Sequence, residues 1–260
     1  MAGESSLPDA EPLERVFLCD QWVDMVRVET LLSIGEIERA VSTALWGSNY
    51  AILLSVRDTE LSALAVYKPR RGERPLWDFP DGTLYQREFL SYLVSKALGW
   101  YLVPPTVIRD GPHGVGSWQL FVEHDPRVTY FSLDDSFVEQ LQRFALFDYL
   151  VNNADRKGGH VLLDPRGRLW GIDHGLTFHA APKLRTVIWE FAGQPVPASL
   201  LTSVDALRGL LCEDSPLLVQ LRRFLSEREI AALHKRVERL LASPFFPFPG
   251  AGPSRPWPPV

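Results

Sequence analysis

Residues 144–175, FALFDYLVNNADRKGGHVLLDPRGRLWGIDHG, are the stretch that decides the fold. The opening run is apolar nearly all round except at Asp148, the pattern of a helix buried in a large lobe rather than lying on a surface. A polar loop carrying Asp155 follows, then Val161-Leu162-Leu163, a turn at Asp164-Pro165-Arg166-Gly167, a second apolar strand and Asp173. Two short strands around a tight turn fold back on themselves, so both aspartates arrive at one end of the hairpin. Paired carboxylates at a cleft suit phosphoryl transfer, one orienting or deprotonating a hydroxyl and the other holding a divalent ion.

Three details strengthen that reading over a pair of turn-capping aspartates. Asn152, Asn153, Arg156 and Lys157 crowd around Asp155. Asp173 leaves a strand into His174-Gly175, where the backbone is free to turn. Gly158-Gly159 lets the chain approach a ligand closely. His160, which starts the hairpin, reads either as a metal ligand or as a hydrogen-bonded framework group. His174 reads as structural, and no HExxH-like or cysteine-bearing spacing indicates zinc.

Working outward, residues 36–68 carry three candidate strands. Ile37, Arg39, Val41 and Thr43 share one face of the first, and the others cover 50–56 and 62–68. The loop Gly47-Ser48-Asn49 is either an ordinary hairpin turn or a place where backbone N–H groups cover phosphates. Lys68 ends the third strand, as a solvent group at a sheet edge or as a lysine reaching phosphate oxygens in a cleft. Thr83 with Gln86 predicts a capping box, and Gly99 a C-cap, for a helix that carries Glu88 one turn in. Glu88 either complements the helix dipole or pairs with Lys68. The 13–35 segment is left open between helix and strand. Downstream, helices are predicted over 134–152, 203–211, 216–225 and 227–241, the last with a Ser226/Glu229 capping box. A proline-rich tail from 243 either packs as a strap or hangs free.

A small sheet followed by a mainly helical region is an α+β, bilobal, kinase-type order. The expected divisions are a disordered lead over 1–12, an N-terminal nucleotide-binding lobe over 13–123, a C-terminal catalytic lobe over 124–242 and the tail over 243–260. The formal charge of −5 gives no reason to expect nucleic-acid binding. Cys19 and Cys212 alone make no disulfide framework. With no signal-peptide pattern and no long apolar span, a soluble cytoplasmic protein without integral membrane association is expected.

Over roughly residues 30–242 these motifs resemble the phosphatidylinositol 3- and 4-kinase-like superfamily, and more closely a compact actinobacterial kinase-like family. Residues 154–160, ADRKGGH, look like the catalytic loop Asp-Arg-x-x-x-Asn, and residues 172–178, IDHGLTF, like the metal-binding Asp-x-Gly element. The resemblance implies a protein-kinase-like or lipid-kinase-like fold using ATP with Mg2+ or Mn2+. It implies Asp155, Lys68 and Arg156 in the catalytic set and Asp173 as principal metal ligand. Lys68, Glu88, Gly47, Ser48, Asn49 and Gln119 fall on the nucleotide side, with the strand from Ser117 to Glu123 as a hinge. His160 stands where the family has a second metal-binding Asn, which favours manganese or weakens magnesium binding. An unperturbed imidazole would also set an acid limb near pH 6.5. Residues 176–200 hold few basic groups, which argues against a phosphoinositide acceptor. A protein hydroxyl, as in the related HipA-type serine kinases, or a metabolite is expected instead. AMP transfer, a nucleotide-binding pseudokinase or scaffold, and an interaction protein built on the proline-rich tail are the competing classes.

Overall fold

The computed structural model describes residues 12–46, 49–212 and 214–260. Its first elements are a hairpin, β1 (Arg15–Leu18) and β2 (Gln21–Asp24), and helix α1 (Met25–Ile34), resolving the segment left open by sequence. Asp24 caps α1 by accepting from Val26 N at 2.8 Å. An antiparallel sheet follows in the order β3-β4-β5-β7-β6, built from β3 (Glu36–Trp46), β4 (Asn49–Arg57), β5 (Ser62–Pro69), β6 (Thr106–Gly111) and β7 (Gly114–Leu120). Tyr67, Ala65, Ile52, Leu54 and Trp118 are buried with Val28, Leu31 and Leu32 of α1 in one apolar cluster. The opposite face of β5 therefore carries Val66 and Lys68. Register pairs Val66 with Gln119 and Lys68 with Ser117, so these four share that face.

The simple alternation expected for β3 is broken. The register shifts between Ile37 and Arg39 and again between Ala40 and Ser42. Each bulge adds a residue and resets the face, and residues 36–41 of this edge strand, Ile37 and Val41 among them, are all exposed.

Helix α2 (Leu84–Ala97) bridges the two lobes. Its Leu90, Tyr92 and Val94 belong to the apolar cluster of the helical lobe, although in sequence it lies among the sheet strands. Thr83 is its N-cap residue, but its hydroxyl donates to Pro80 O at 2.7 Å instead of capping. The expected Thr83/Gln86 box is replaced by Glu73, whose carboxylate accepts from Leu84 N at 3.1 Å and Tyr85 N at 2.8 Å. Two bonds from an anion at a helix N-terminus outcompete one from a hydroxyl.

The helical lobe comprises α3 (Val138–Val151), the hairpin of β8 (Val161–Leu163) and β9 (Leu169–Gly171), and α4 (Ala198–Leu210), α5 (Pro216–Phe224) and α6 (Glu227–Ala242). Phe144, Leu146, Phe147, Leu150 and Val151 of α3 are wholly buried. Each contributes on the order of 1.5–3 kcal/mol by leaving water, which makes α3 a rigid base for the loop after it. The Ser226/Glu229 capping box of α6 is present, and Glu229 additionally pairs with buried Arg87 of α2 at 2.6 Å. The tail packs as a strap: Phe246 is buried, Thr186 N donates to Ser254 O at 3.0 Å, and Gly158 N to Pro259 O at 2.8 Å. The fold is bilobal and kinase-like, a small antiparallel sheet lobe against a mainly helical one. Among the described residues no helix is long and apolar enough to cross a membrane.

Candidate functional site

The two aspartates reach the cleft by different local devices. Helix α3 ends at Asn152, whose left-handed φ of 54° turns the chain sharply. Its side chain then donates to His179 O and Ala181 O, both at 2.8 Å, and accepts from Lys183 N at 2.9 Å. Further bonds from Ala154 N to Leu176 O and from Arg185 N to Asn153 O, both at 2.9 Å, zip the loop carrying Asp155 to the segment after Asp173. In the hairpin turn, Asp164 accepts from Arg166 N, Arg168 N and the Trp170 indole N–H. Gly167 takes φ of 85°, the conformation that favours glycine there. Ile172 N donates to His160 O at 3.1 Å, extending the ladder by one pair and setting His160 beside the exit of the second strand. Asp173 then adopts φ of 59°, which breaks the strand and swings its carboxylate towards the sheet lobe.

There Lys68 meets it. The Lys68 ammonium pairs with Glu88 Oε1 and lies 3.0 Å from Asp173 Oδ1. The second oxygen of Glu88 accepts from His174 N at 2.9 Å, so one buried carboxylate ties β5, α2 and the Asp173 turn together. Burial opposes the lysine charge, but the Asp173 and Glu88 carboxylates more than offset it and hold its pKa above the usual range. The Lys68 charge in turn holds Asp173 well below the ordinary carboxylate range. Burial raises Glu88. Asp155 faces the same cavity as Asp173, Lys68 and Glu88. Burial pushes its pKa up to about 6, against the pull of Lys157, whose ammonium sits 3.7 Å away.

His160 Nδ1 lies 3.0 Å from Asp155 O, a carbonyl that only accepts, and 3.4 Å from the Lys157 N–H; the shorter contact favours the proton on Nδ1. Burial pushes its pKa down to about 4, so the ring is neutral and Nε2 carries a lone pair. That lone pair faces Asp173 Oδ2 across 3.5 Å. Two acceptors opposed without a proton between them suit a divalent cation. Among the described residues no three Asp, Glu, His or Cys side chains converge to hold an ion. A carboxylate and an imidazole could hold a divalent ion that takes its remaining ligands from water and phosphate, the imidazole being a softer ligand than magnesium prefers.

Arg156 departs from its expected place in the catalytic set. It is fully buried behind the loop and pairs with fully buried Asp148 at 2.9 Å. It also donates to His160 O at 3.2 Å, Ile172 O at 3.0 Å and His174 Nε2 at 2.5 Å. Its five-donor fork thus orients both loops without reaching the cleft, a positioning role. Asp148, the lone acid on an apolar helix, is the sequence signal that marks this buried partner. Accepting from Arg156 keeps His174 neutral, and burial holds its pKa well below the usual value.

Gln119 is buried, donates to Thr106 Oγ1 at 2.9 Å and lines a second cavity of about 230 Å3. Ala51, Val66, Phe121, Leu162 and Ile172 supply its apolar walls, and Lys68 and Asp173 join it to the carboxylate side. Gly47 and Ser48 lie outside the described residues. Asn49 opens β4 opposite Trp46, its side chain likewise outside the description. Sequence reasoning missed the Glu73 cap, the Arg87–Glu229 pair and the 2.7 Å bond between Asp78 and Lys183.

The model of the phosphatidylinositol 3- and 4-kinase family matches residues 109–207, a span that includes Asp155, His160 and Asp173 but not Lys68 or Glu88. Protein Rv2133c of Mycobacterium tuberculosis is 43% identical, with 74% of this chain and 81% of that protein covered. Phosphatidylinositol 4-kinase gamma 4 of Oryza sativa subsp. japonica is 30% identical across 42% of this chain, and the chain spans only 22% of that protein. Among solved structures, the Helicobacter pylori proinflammatory kinase CtkA aligns over 83% of this chain and 94% of its own, with 14% identity and a TM-score of 0.47. The 43% identity over most of both chains and the match around the paired aspartates place this chain in the compact actinobacterial kinase-like family of Rv2133c, which resembles the phosphatidylinositol 3- and 4-kinase superfamily.

Proposed function

We propose that the protein is an ATP- and divalent-metal-dependent phosphotransferase acting on a hydroxyl acceptor, with its nucleotide between a sheet lobe and a catalytic lobe divided near residue 124. The observation that carries this reading is the convergence of Lys68, Glu88, Asp155 and Asp173 on one cavity, joined through Lys68 and Asp173 to an apolar one. In this reading the apolar cavity takes the base, and Lys68, oriented by Glu88, takes phosphate charge. Asp173 and His160 would hold the metal, which supplies charge neutralisation on the phosphate oxygens when bound. Asp155 accepts the proton of the acceptor hydroxyl as its oxygen forms a bond to the terminal phosphorus. The bond from that phosphorus to the bridging oxygen breaks, and ADP leaves with the electron pair. A base pushed up to about 6 by burial is ionised at neutral pH yet a better proton acceptor than an ordinary aspartate.

Calorimetric titration of ATP with magnesium and with manganese, followed by incubation with γ- or α-labelled ATP, tests the proposal. Metal-dependent binding and γ-label on a product are expected. Label from the α-phosphate on the product would assign AMP transfer, and absence of ATP binding would remove the catalytic reading.

A further inference from the structure

The loop between β5 and α2 is fastened over the acceptor side of the cleft. Residues 72–76 form one wall of a cavity of about 240 Å3, Leu84 and Tyr85 of α2 another, and Asp155, Asp173 and Leu176 face them. The strap is tied at three points. Glu73 caps α2 through two backbone N–H groups. Asp78 bonds Lys183 of the catalytic lobe at 2.7 Å, both side chains largely buried. Buried Phe79 meets the His179 ring edge-on at 5.4 Å and lies under the Arg87 guanidinium at 5.1 Å. The segment that receives it, around His179 and Lys183, is itself zipped to the Asp155 loop through Asn152. Both sides of this opening are thus tied in place.

We propose that the acceptor is a small polar alcohol of metabolite size, taken into this roofed cavity beside Asp155, and not a serine or threonine of a protein chain. The inference rests on the phosphotransfer reading above and adds the substrate class. Liquid water occupies about 30 Å3 per molecule, so a cavity of this size holds on the order of ten non-hydrogen atoms. Lys68, Glu88 and Asp173 line the same space, so the terminal phosphate takes part of it, and what remains suits a short polyol or an amino alcohol. A polypeptide acceptor has to lie extended past the base at about 3.3 Å per residue, which needs an open trough several residues long. Here the Asp78–Lys183 bond and the Phe79–His179 contact join the segment over 72–79 to the one over 176–183, closing the route between them. The walls mix Leu76, Leu84 and Leu176 with Glu73, Tyr85 and Asp155, an amphipathic lining fitted to a hydroxyl-rich carbon skeleton.

The test incubates the full chain and γ-labelled ATP with two fractions of an actinobacterial extract, the small-molecule ultrafiltrate and the macromolecular retentate, while calorimetry follows ATP binding. Label is expected on a compound in the ultrafiltrate. Leu76→Trp, which fills the cavity from its roof, should cut that labelling by about tenfold or more by displacing the hydroxyl from the base, with ADP affinity kept. Label confined to a polypeptide in the retentate would overturn the small-alcohol inference and leave the phosphotransferase standing. Undiminished small-molecule labelling by Leu76→Trp would also overturn it, because the acceptor would then sit elsewhere. ATP bound with no label in either fraction would overturn the phosphotransfer reading and this inference with it.

Discussion

Replacing Arg156 by methionine removes the charge that compensates Asp148 where both side chains are fully buried. Breaking a buried ion pair from one side typically costs about 3–5 kcal/mol, because the remaining charge stays out of water. Asp148 retains Asn153 Nδ2 at 2.9 Å and Thr186 Oγ1 at 3.4 Å as donors, which places the carboxylate share near the lower end, about 3 kcal/mol. The carbonyls of His160 and Ile172 lose a donor as well. A total of about 4–5 kcal/mol follows if those two add about 1–2 kcal/mol together. Asp148→Leu strands the guanidinium instead and should cost about 3–5 kcal/mol. The double variant removes both charges, so its cost should fall short of the sum of the singles by about 3 kcal/mol. Urea unfolding followed by far-ultraviolet circular dichroism gives these values from the midpoints at constant slope. A coupling below about 0.5 kcal/mol would refute the buried pair as the brace of the two loops.

Other consequences are more local. Glu73→Ala should cost about 1 kcal/mol of stability, whereas Thr83→Ala, which removes no cap, should cost less than half as much in the same urea assay. Proton acceptance needs Asp155 ionised, so kcat/KM should fall as pH drops through about 6. His160, pushed down to about 4, stays neutral across that window, so His160→Asn should leave the limb in place. A limb that moves with His160→Asn would assign it to the imidazole. Truncation after Pro253 removes the acceptors of Gly158 N and Thr186 N, and should speed amide exchange at those two residues while leaving α6 protected. Unchanged exchange at Gly158 would mean the strap does not hold the loop.

Much of the lobe order and of the loop geometry was legible because it rests on local signals. The apolar run before Asp155, the turn chemistry at 164–167 and the Ser226/Glu229 box each act over a few residues. What escaped depends on partners far apart in sequence. Glu73 displaces Thr83 as the cap because an irregular segment folds back, which no periodicity records. The β3 bulges are set by pairing with β4, so counting alternate residues put Ile37 and Arg39 on one face, although they pair with Val56 and Ser55 on opposite faces of β4. Arg156 sits beside Asp155 in sequence, yet its partner is one turn back in a buried helix, which draws the guanidinium behind the loop. The expected imidazole limb at pH 6.5 took no account of burial, which lowers His160 and raises Asp155.

Whether Asp155 is the base of a phosphotransferase is decided by the rate of γ-phosphate transfer from ATP for wild type and Asp155→Asn, measured beside their ATP affinities. Affinities within about threefold of each other are expected, with a transfer rate about 10²–10⁴-fold lower in the variant, the range for loss of a positioned base. Equal transfer rates in the two proteins would contradict that role.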